Sequence, residues 1–234
     1  MLESSRIRAI TLDLDDTLWP VWPTIRRAEE AMRDWLSGPA PQTVAQIRAD
    51  PQNSLQARRA VLQTQPGIAH NLGQLRLETL RHMLRQADED PALADPAYEI
   101  FYEQRQQVTL YEDSLPALEF LAARYRLVAV SNGNADVQRV GLGRFFAVHL
   151  AAGEVGVAKP DPRMFELAAQ ACEVPADQIL HVGDDVQLDA LAALQAGMQA
   201  AWVNRKGEDW PEEHAQQRPH ADVRDMAELV GLLG

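Results

Sequence analysis

The sequence has little cysteine, no long apolar run and fewer basic than acidic residues. Its single cysteine, Cys172, excludes an intramolecular disulfide and is typical of a protein from a reducing compartment. No run approaches the ~18 apolar residues of a membrane-spanning helix, and residues 1–6 lack the apolar core of a signal peptide. We therefore expect a soluble, cytoplasmic protein with no membrane partner.

The charge balance excludes another class of partner. The chain carries 22 Lys and Arg residues against 34 Asp and Glu residues, a net charge of -12. An acidic surface repels nucleic acid and anionic membranes, but a bound cation can invert the field locally. A small phosphorylated molecule therefore remains a possible ligand. With 234 residues, 46% of them hydrophobic, we expect one large domain or a domain with an insertion.

Short apolar runs alternate with helical patterns over most of the chain. The strand-like runs are Ile7–Leu14, Leu127–Ser131, Ala147–Ala151, Ile179–Gly183 and Gln199–Val203. Continuous apolar runs are typical of buried parallel strands, and their alternation with helices predicts an α/β fold. The sequence thus predicts a Rossmann-like, doubly wound parallel sheet. Residues 207–219 are interpreted as a polar loop before a final helix.

One long segment breaks this alternation. From residue 21 to residue 108 the apolar residues fall at helical spacing and no strand-like run occurs. We therefore expect residues 21–108 to be an all-helical insertion in an α/β domain formed by residues 1–20 and 109–234.

Aromatic residues have two interpretations. Tyr98, Phe101 and Tyr102 recur at helical spacing, which favours packing inside the helical insertion over contact with a ligand. Trp19 and Trp22 lie nearer the end of the first predicted strand and could stack on a substrate ring.

Polar residues collect where the predicted strands end. Those at or just after strand ends are Asp13, Asp15, Ser131, Asn132, Asp184 and Asp185, with Asp189 shortly after. Lys159 joins them just before a predicted capped helix. The carboxyl ends of parallel strands meet at one edge of the sheet, where α/β proteins bind their ligands. Each short motif alone is uninformative, but together they supply a nucleophile, a cation and oriented donors, as phosphoryl transfer requires. So many carboxylates need a hard counter-ion, and oxygen ligands favour Mg²⁺.

These motifs resemble those of the haloacid-dehalogenase-like hydrolases. The four matching segments, in family order, are Asp13-Leu-Asp15-Asp16-Thr17-Leu18, Ser131-Asn132-Gly133, Lys159-Pro160 and Gly183-Asp184-Asp185 followed by Asp189. The helical insertion after the first motif resembles the family's cap of the first type, which implies a helical cap domain of residues 21–108 and a catalytic core of residues 1–20 and 109–234. The resemblance covers nearly the whole chain.

The resemblance implies a covalent mechanism. Asp13 is expected to attack phosphorus, while Asp15 protonates the leaving oxygen and later deprotonates the attacking water. Strand geometry alone sends Asp13 and Asp15 to opposite faces, so Asp15 can join the site only if the chain leaves strand conformation there. Ser131 and Asn132 are expected to bind phosphoryl oxygens, and Lys159 to neutralise charge on the phosphate and on Asp13.

The resemblance also implies a ligand set for Mg²⁺. The expected ligands are Asp13, the backbone carbonyl of Asp15, and Asp184. Asp185 and Asp189 are expected to lie outside the direct ligands, although an acid in the first turn of a helix also complements the helix dipole. Asp16 is expected to be structural, either forming a turn or lying outside the direct ligands.

The substrate stays open. True dehalogenases of this family lack an acid at the position of Asp15, so Asp15 favours phosphatase chemistry; phosphomutases and a non-catalytic binding module remain alternatives. Further likeness is to bacterial phosphatases of riboflavin biosynthesis, which act on flavin mononucleotide and on 5-amino-6-(5-phospho-D-ribitylamino)uracil. It is carried by Leu12–Leu18, Val130–Asn134 and the run from Ile179 to Trp202. We expect a monomer or a homodimer.

Overall fold

The computed structural model describes residues 1–50 and 52–234. The chain divides into two compact units, one of Met1–Pro20 with Thr109–Gly234 and the other of Val21–Val108. The first unit is called the core and the second the helical unit.

The core contains a six-stranded sheet in which every neighbouring pair is parallel. The strands are β1 (Ala9–Leu12), β2 (Arg126–Ser131), β3 (Val148–Ala151), β4 (Ile179–Gly183), β5 (Gln199–Val203) and β6 (Ala221–Val223). Their order is β3-β2-β1-β4-β5-β6. Strands β2 and β3 are added on one side of β1, and strands β4, β5 and β6 are then added on its other side. The switch point therefore lies at the carboxyl end of β1, the usual ligand position in such sheets.

The five predicted strands form, but the prediction missed the sixth. Strand β6 has three residues and pairs with β5 through Ala201 and Ala221. A segment this short, with an acid at its centre, carries too little apolar pattern to be recognised. The first strand is also shorter than the predicted Ile7–Leu14, because the chain turns after Leu12.

The described part of the helical unit contains five α-helices. They are α1 (Val21–Leu36), α2 (Pro41–Ala49), α3 (Asn53–Thr64), α4 (Leu72–Gln86) and α5 (Ala94–Arg105). Among the described residues of 21–108 there is no strand. The apolar faces of α1, α4 and α5 form a common core that contains Met32, Leu84 and Phe101.

Packing explains the aromatic residues of α5. Phe101 is 1% exposed, and Tyr98 packs against the same apolar core. The Tyr98 ring stacks on Phe101 and on Tyr102 with centroid distances of 6.1 and 6.0 Å. Phe101 and Tyr98 therefore pack inside the helical unit, as their spacing predicts.

Five further helices lie in the core. They are α6 (Ser114–Ala122), α7 (Ala152–Val155), α8 (Pro162–Cys172), α9 (Ala192–Gln195) and α10 (Met226–Leu233), with a π-helical segment at Val186–Leu191. Asp161 caps α8 by accepting from the Arg163 N–H, and Pro162 occupies the first helical position. Cys172 is buried in the apolar cluster beneath the sheet, and burial raises the pKa of its thiol to about 12.

None of the described helices combines the length and the apolarity needed to cross a bilayer.

Candidate active site

The chain turns sharply after β1. The Leu18 N–H donates to the Leu14 carbonyl over 2.8 Å, which closes one helical turn, and Asp16 has φ of 58°, in the left-handed region. Asp16 thus has the turn-forming place expected of it. Asp15 lies within this turn, so strand alternation no longer sends its side chain to the face opposite Asp13.

Trp19 orients the carboxylate of Asp15. The indole Nε1 donates to Asp15 Oδ1 over 2.9 Å, and the tryptophan is fully buried. A ring in this position is a hydrogen-bond donor inside the core, not a free surface for stacking. Trp22, on α1, is 64% exposed.

A buried lysine joins two carboxylates. Lys159 Nζ lies 2.6 Å from Asp13 Oδ1 and 2.5 Å from Asp189 Oδ1, and the lysine side chain is 2% exposed. Burial opposes the charge on Lys159, yet attraction to Asp13 and then Asp189 raises its pKa. Burial likewise opposes the charge on Asp189, but Lys159 and a hydrogen bond from His181 hold its pKa below the usual range. Burial raises the pKa of Asp13, although Lys159 works against that shift.

Asn132 fixes the main chain of Lys159. Its side-chain Nδ2 donates to the Lys159 carbonyl and its Oδ1 accepts the Lys159 N–H, both over 2.8 Å. Both polar atoms of the Asn132 side chain therefore bind the Lys159 main chain. Contact between Asn132 and phosphate is proposed for the backbone of Asn132, not for its side chain. Ser131, at the end of β2, is buried, and its Oγ accepts from the Gly133 N–H over 2.9 Å.

Asp184 follows β4 and faces the turn after β1. Its Oδ1 accepts from the Thr17 hydroxyl over 3.2 Å, and its backbone carbonyl accepts from Trp202 Nε1 over 2.7 Å. Burial, with the negative charges of Asp189 and Asp16, raises the pKa of Asp184 to about 7. The site thus holds more negative charge than Lys159 neutralises.

The other two acids of this region have different surroundings. Asp185 Oδ1 accepts from the Gln187 and Leu188 N–H groups, which caps the π-helical segment. The Asp185 N–H in turn donates to Asp189 Oδ2 over 3.0 Å. The Asp189 carboxylate lies against Gly183, where an added Cβ would be 2.3 Å from Asp189 Cγ. Only glycine leaves room for Asp189 at this point.

Three carboxylates could hold a metal ion. Asp13, Asp184 and Asp189 each offer an oxygen, and these atoms lie within 4.8 Å of one another. The set contains Asp189, which was expected to lie outside the direct ligands. Hard oxygen donors and excess negative charge fit Mg²⁺.

From the sequence, His181 lacks the spacing of a metal ligand and is expected only to pack near the end of its strand, so its contact with the site was not predicted. It lies on β4 with 1% exposure, and its Nε2 is 3.1 Å from Asp189 Oδ1. Its Nδ1 is 2.7 Å from Thr11 Oγ1 on β1. Burial lowers its pKa. The available signal was its place two residues before Gly183, on the same face of the strand.

Arg205 was also overlooked. Its Nη2 donates to the Thr17 carbonyl and to Asp113, each over 2.8 Å, and its guanidinium lies 3.8 Å from the Tyr111 ring centroid. Burial opposes ionisation of Asp113, but the hydrogen bond from Arg205 lowers its pKa. Arg205 therefore anchors the turn that carries Asp15. Nothing in its local sequence distinguishes it from a surface arginine.

Comparison with known proteins establishes the family. The model of the haloacid dehalogenase-like hydrolases matches residues 7–197. The chain belongs to the haloacid dehalogenase-like hydrolase family. The resemblance inferred from the motifs and the Rossmann-like α/β fold are thereby confirmed.

Relatives of this hydrolase have different activities. It is 33% identical to the 5-amino-6-(5-phospho-D-ribitylamino)uracil phosphatase YigB of Escherichia coli (strain K12), over 97% of each chain. It is also 33% identical to a phosphoserine phosphatase of Thermus thermophilus, over 85% of this chain and 89% of that one. Among solved structures, a 2-haloacid dehalogenase from Pseudomonas syringae pv. tomato DC3000 aligns with a TM-score of 0.89 and 38% identity, over 97% and 98% of the two chains. The relatives thus include enzymes that cleave phosphate esters and an enzyme that cleaves carbon–halogen bonds.

Proposed function

We propose that this hydrolase is a Mg²⁺-dependent phosphate-monoester hydrolase that acts on a small phosphorylated metabolite through an aspartyl-phosphate at Asp13. The observation that carries the proposal is the carboxylate of Asp15, held by Trp19 in the turn that follows Asp13. A departing alkoxide needs a proton, whereas a departing halide needs none. A positioned carboxyl group beside the nucleophile therefore supports cleavage of a phosphate ester.

The first step forms a bond between an Asp13 carboxylate oxygen and phosphorus while the bond to the ester oxygen breaks. Asp15, protonated, gives its proton to that oxygen. In the second step Asp15, now ionised, takes a proton from a water molecule that attacks phosphorus, which releases phosphate and restores Asp13.

Lys159 has two tasks in this scheme. Its ammonium, 2.6 Å from Asp13 Oδ1, favours the ionised nucleophile against the effect of burial. It also offers N–H donors to the phosphoryl oxygens, together with Ser131 and the backbone that follows it. Asn132 supports these contacts by holding the Lys159 main chain.

The residues that would hold Mg²⁺ are Asp13, Asp184 and the Asp15 carbonyl. Asp189 is proposed as a neighbour of the metal, because its two oxygens already accept from Lys159, His181 and the Asp185 N–H. When bound, Mg²⁺ would neutralise charge on the phosphoryl oxygens and on the carboxylates.

Similarity to YigB supports flavin mononucleotide or the phosphorylated riboflavin precursor as the substrate. Another phosphatase or phosphomutase substrate, such as a nucleotide or sugar phosphate, is the alternative within the same chemistry. The likeness to a 2-haloacid dehalogenase favours a second candidate function, hydrolysis of a carbon–halogen bond.

The test compares phosphate release from p-nitrophenyl phosphate, flavin mononucleotide, the riboflavin precursor and a panel of sugar phosphates with halide release from 2-chloropropionate. We expect phosphate release that EDTA abolishes and Mg²⁺ restores, and that Asp13→Asn eliminates while circular dichroism stays unchanged. Halide release without phosphate release, indifferent to chelation, would replace the proposal with the dehalogenase. Absence of both reactions would favour a binding module.

A further inference from the structure

A hydrogen-bonded chain runs from the interior of the sheet to the proposed nucleophile. Thr11 Oγ1 is 2.7 Å from His181 Nδ1, His181 Nε2 is 3.1 Å from Asp189 Oδ1, and the same oxygen is 2.5 Å from Lys159 Nζ. Lys159 Nζ then reaches Asp13 Oδ1. Each of these five side chains is at most 10% exposed, so water does not compete with the contacts.

Chemistry fixes the direction of each hydrogen bond. The Asp189 carboxylate only accepts, so His181 Nε2 must carry the proton that it donates. The Nδ1 of the neutral ring is then an acceptor, and the Thr11 hydroxyl donates to it. The threonine thereby selects the tautomer that is able to hold Asp189.

The packing around the ring leaves little freedom to change this arrangement. His181 meets the Phe165 ring edge-on, with a centroid distance of 5.2 Å and an interplanar angle of 76°. Asp189 is confined from the other side by Gly183 and by the Asp185 N–H. The Asp189 carboxylate is therefore held in one position by three donors, which are Lys159, His181 and the Asp185 N–H.

We propose that His181, with its tautomer set by Thr11, is a positioning residue that holds Asp189 so that Lys159 is shared between Asp189 and Asp13. The expected effect of this role on the turnover rate rests on the proposed phosphatase function. Without the His181 donor, Asp189 Oδ1 keeps only Lys159 and can draw the ammonium away from Asp13 and from the transferred phosphoryl group. The loss should fall on the transition state more than on substrate binding.

The kinetic test uses His181→Phe, which keeps a ring against Phe165 but removes both nitrogens. We expect kcat to fall about 10- to 100-fold, the range for groups that orient ligating or catalytic side chains, with KM within about twofold of wild type. His181→Gln should recover part of the loss, because its amide can donate to Asp189. The matched control is His149→Phe, a histidine on β3 outside this chain of contacts, which should keep wild-type kcat.

A double-variant cycle separates positioning from general destabilisation. Thr11→Val should lower kcat less than His181→Phe, and the combined variant should match His181→Phe, because both changes break one chain. Losses that multiply in the combined variant, or a His181→Phe enzyme within twofold of wild type, would overturn the proposal.

A spectroscopic readout on the wild-type protein is independent of turnover. ¹⁵N–¹H NMR of the histidine side chains in the wild-type protein distinguishes protonated from unprotonated ring nitrogens, and His181 is assigned by the signal missing in His181→Gln or His181→Phe. We expect the proton on Nε2 and an unprotonated Nδ1. A proton on Nδ1 would refute the positioning role even in an active phosphatase, whereas the expected tautomer in a protein without phosphatase activity would refute only the proposed function.

Discussion

Replacing Lys159 by methionine should destabilise the core strongly and in a pH-dependent way. The substitution keeps most of the side-chain volume and removes one ammonium from between Asp13 and Asp189. Three carboxylates, those of Asp13, Asp184 and Asp189, then lie near one another without a buried cation.

The magnitude follows from burial. Removing one partner of a buried ion pair costs about 3–5 kcal/mol, because the remaining charge is neither solvated nor paired. In the wild type the raised pKa of Lys159 and the lowered pKa of Asp189 keep the pair fully charged between about pH 5 and pH 9, so the full effect is expected there. The variant escapes part of the cost at low pH, since each acid that takes up a proton recovers up to about 1.4 kcal/mol per pH unit.

Urea unfolding with EDTA present measures this effect. We expect Lys159→Met to lose about 3–5 kcal/mol at pH 8 and distinctly less at pH 5, and Mg²⁺ to restore part of the loss at pH 8. The control is Lys206→Met, which changes the only other lysine of the chain at an exposed position. A loss below about 1 kcal/mol at pH 8, or one that does not depend on pH, would refute the claim that Lys159 neutralises this cluster.

Three further predictions concern neighbouring residues. Gly183→Ala places a Cβ 2.3 Å from Asp189 Cγ and should cost about 1–3 kcal/mol in urea unfolding together with most of the activity, whereas Gly207→Ala should leave activity intact. Mg²⁺ affinity, measured by calorimetry, should weaken as the pH falls through about 7, because the proton taken up by Asp184 competes with the metal; affinity that is constant from pH 6 to pH 8 would contradict this. Trp19→Phe removes the donor to Asp15 and should slow hydrolysis of alkyl phosphates more than of p-nitrophenyl phosphate, whose leaving group needs no proton; equal slowing of both would argue against a general acid oriented by Trp19.

Much of the fold was predictable because its elements are local. Apolar runs identified β1 to β5, and the change to helical spacing at residue 21 identified the segment that forms the helical unit. Strand β6 was not predictable, since its three residues owe their conformation to pairing with β5. This pairing is a tertiary contact that no local pattern encodes.

The site residues also fall into those that local sequence identifies and those that depend on tertiary contacts. Asp13 and Asp184 directly follow β1 and β4, so the topology of a parallel sheet brings them together, whereas Lys159 lies between α7 and α8 and was predicted from its motif. His181 and Arg205 were missed because their partners, Thr11 and the Thr17 carbonyl, lie more than 160 residues away in the sequence. Trp19 illustrates a third case, in which proximity to the motif was recognised but burial reversed its expected use.

The most direct test of the central claim is to trap the covalent intermediate on Asp13. Asp15→Asn should still be phosphorylated by p-nitrophenyl phosphate, because that leaving group departs without a proton, but should release phosphate slowly for want of a base. Borohydride reduction of the quenched protein converts an aspartyl-phosphate into homoserine, which peptide mass spectrometry locates. The account predicts homoserine at position 13 and nowhere else. Modification at another residue, or an unmodified position 13 in a protein that releases p-nitrophenol in a burst, would contradict it.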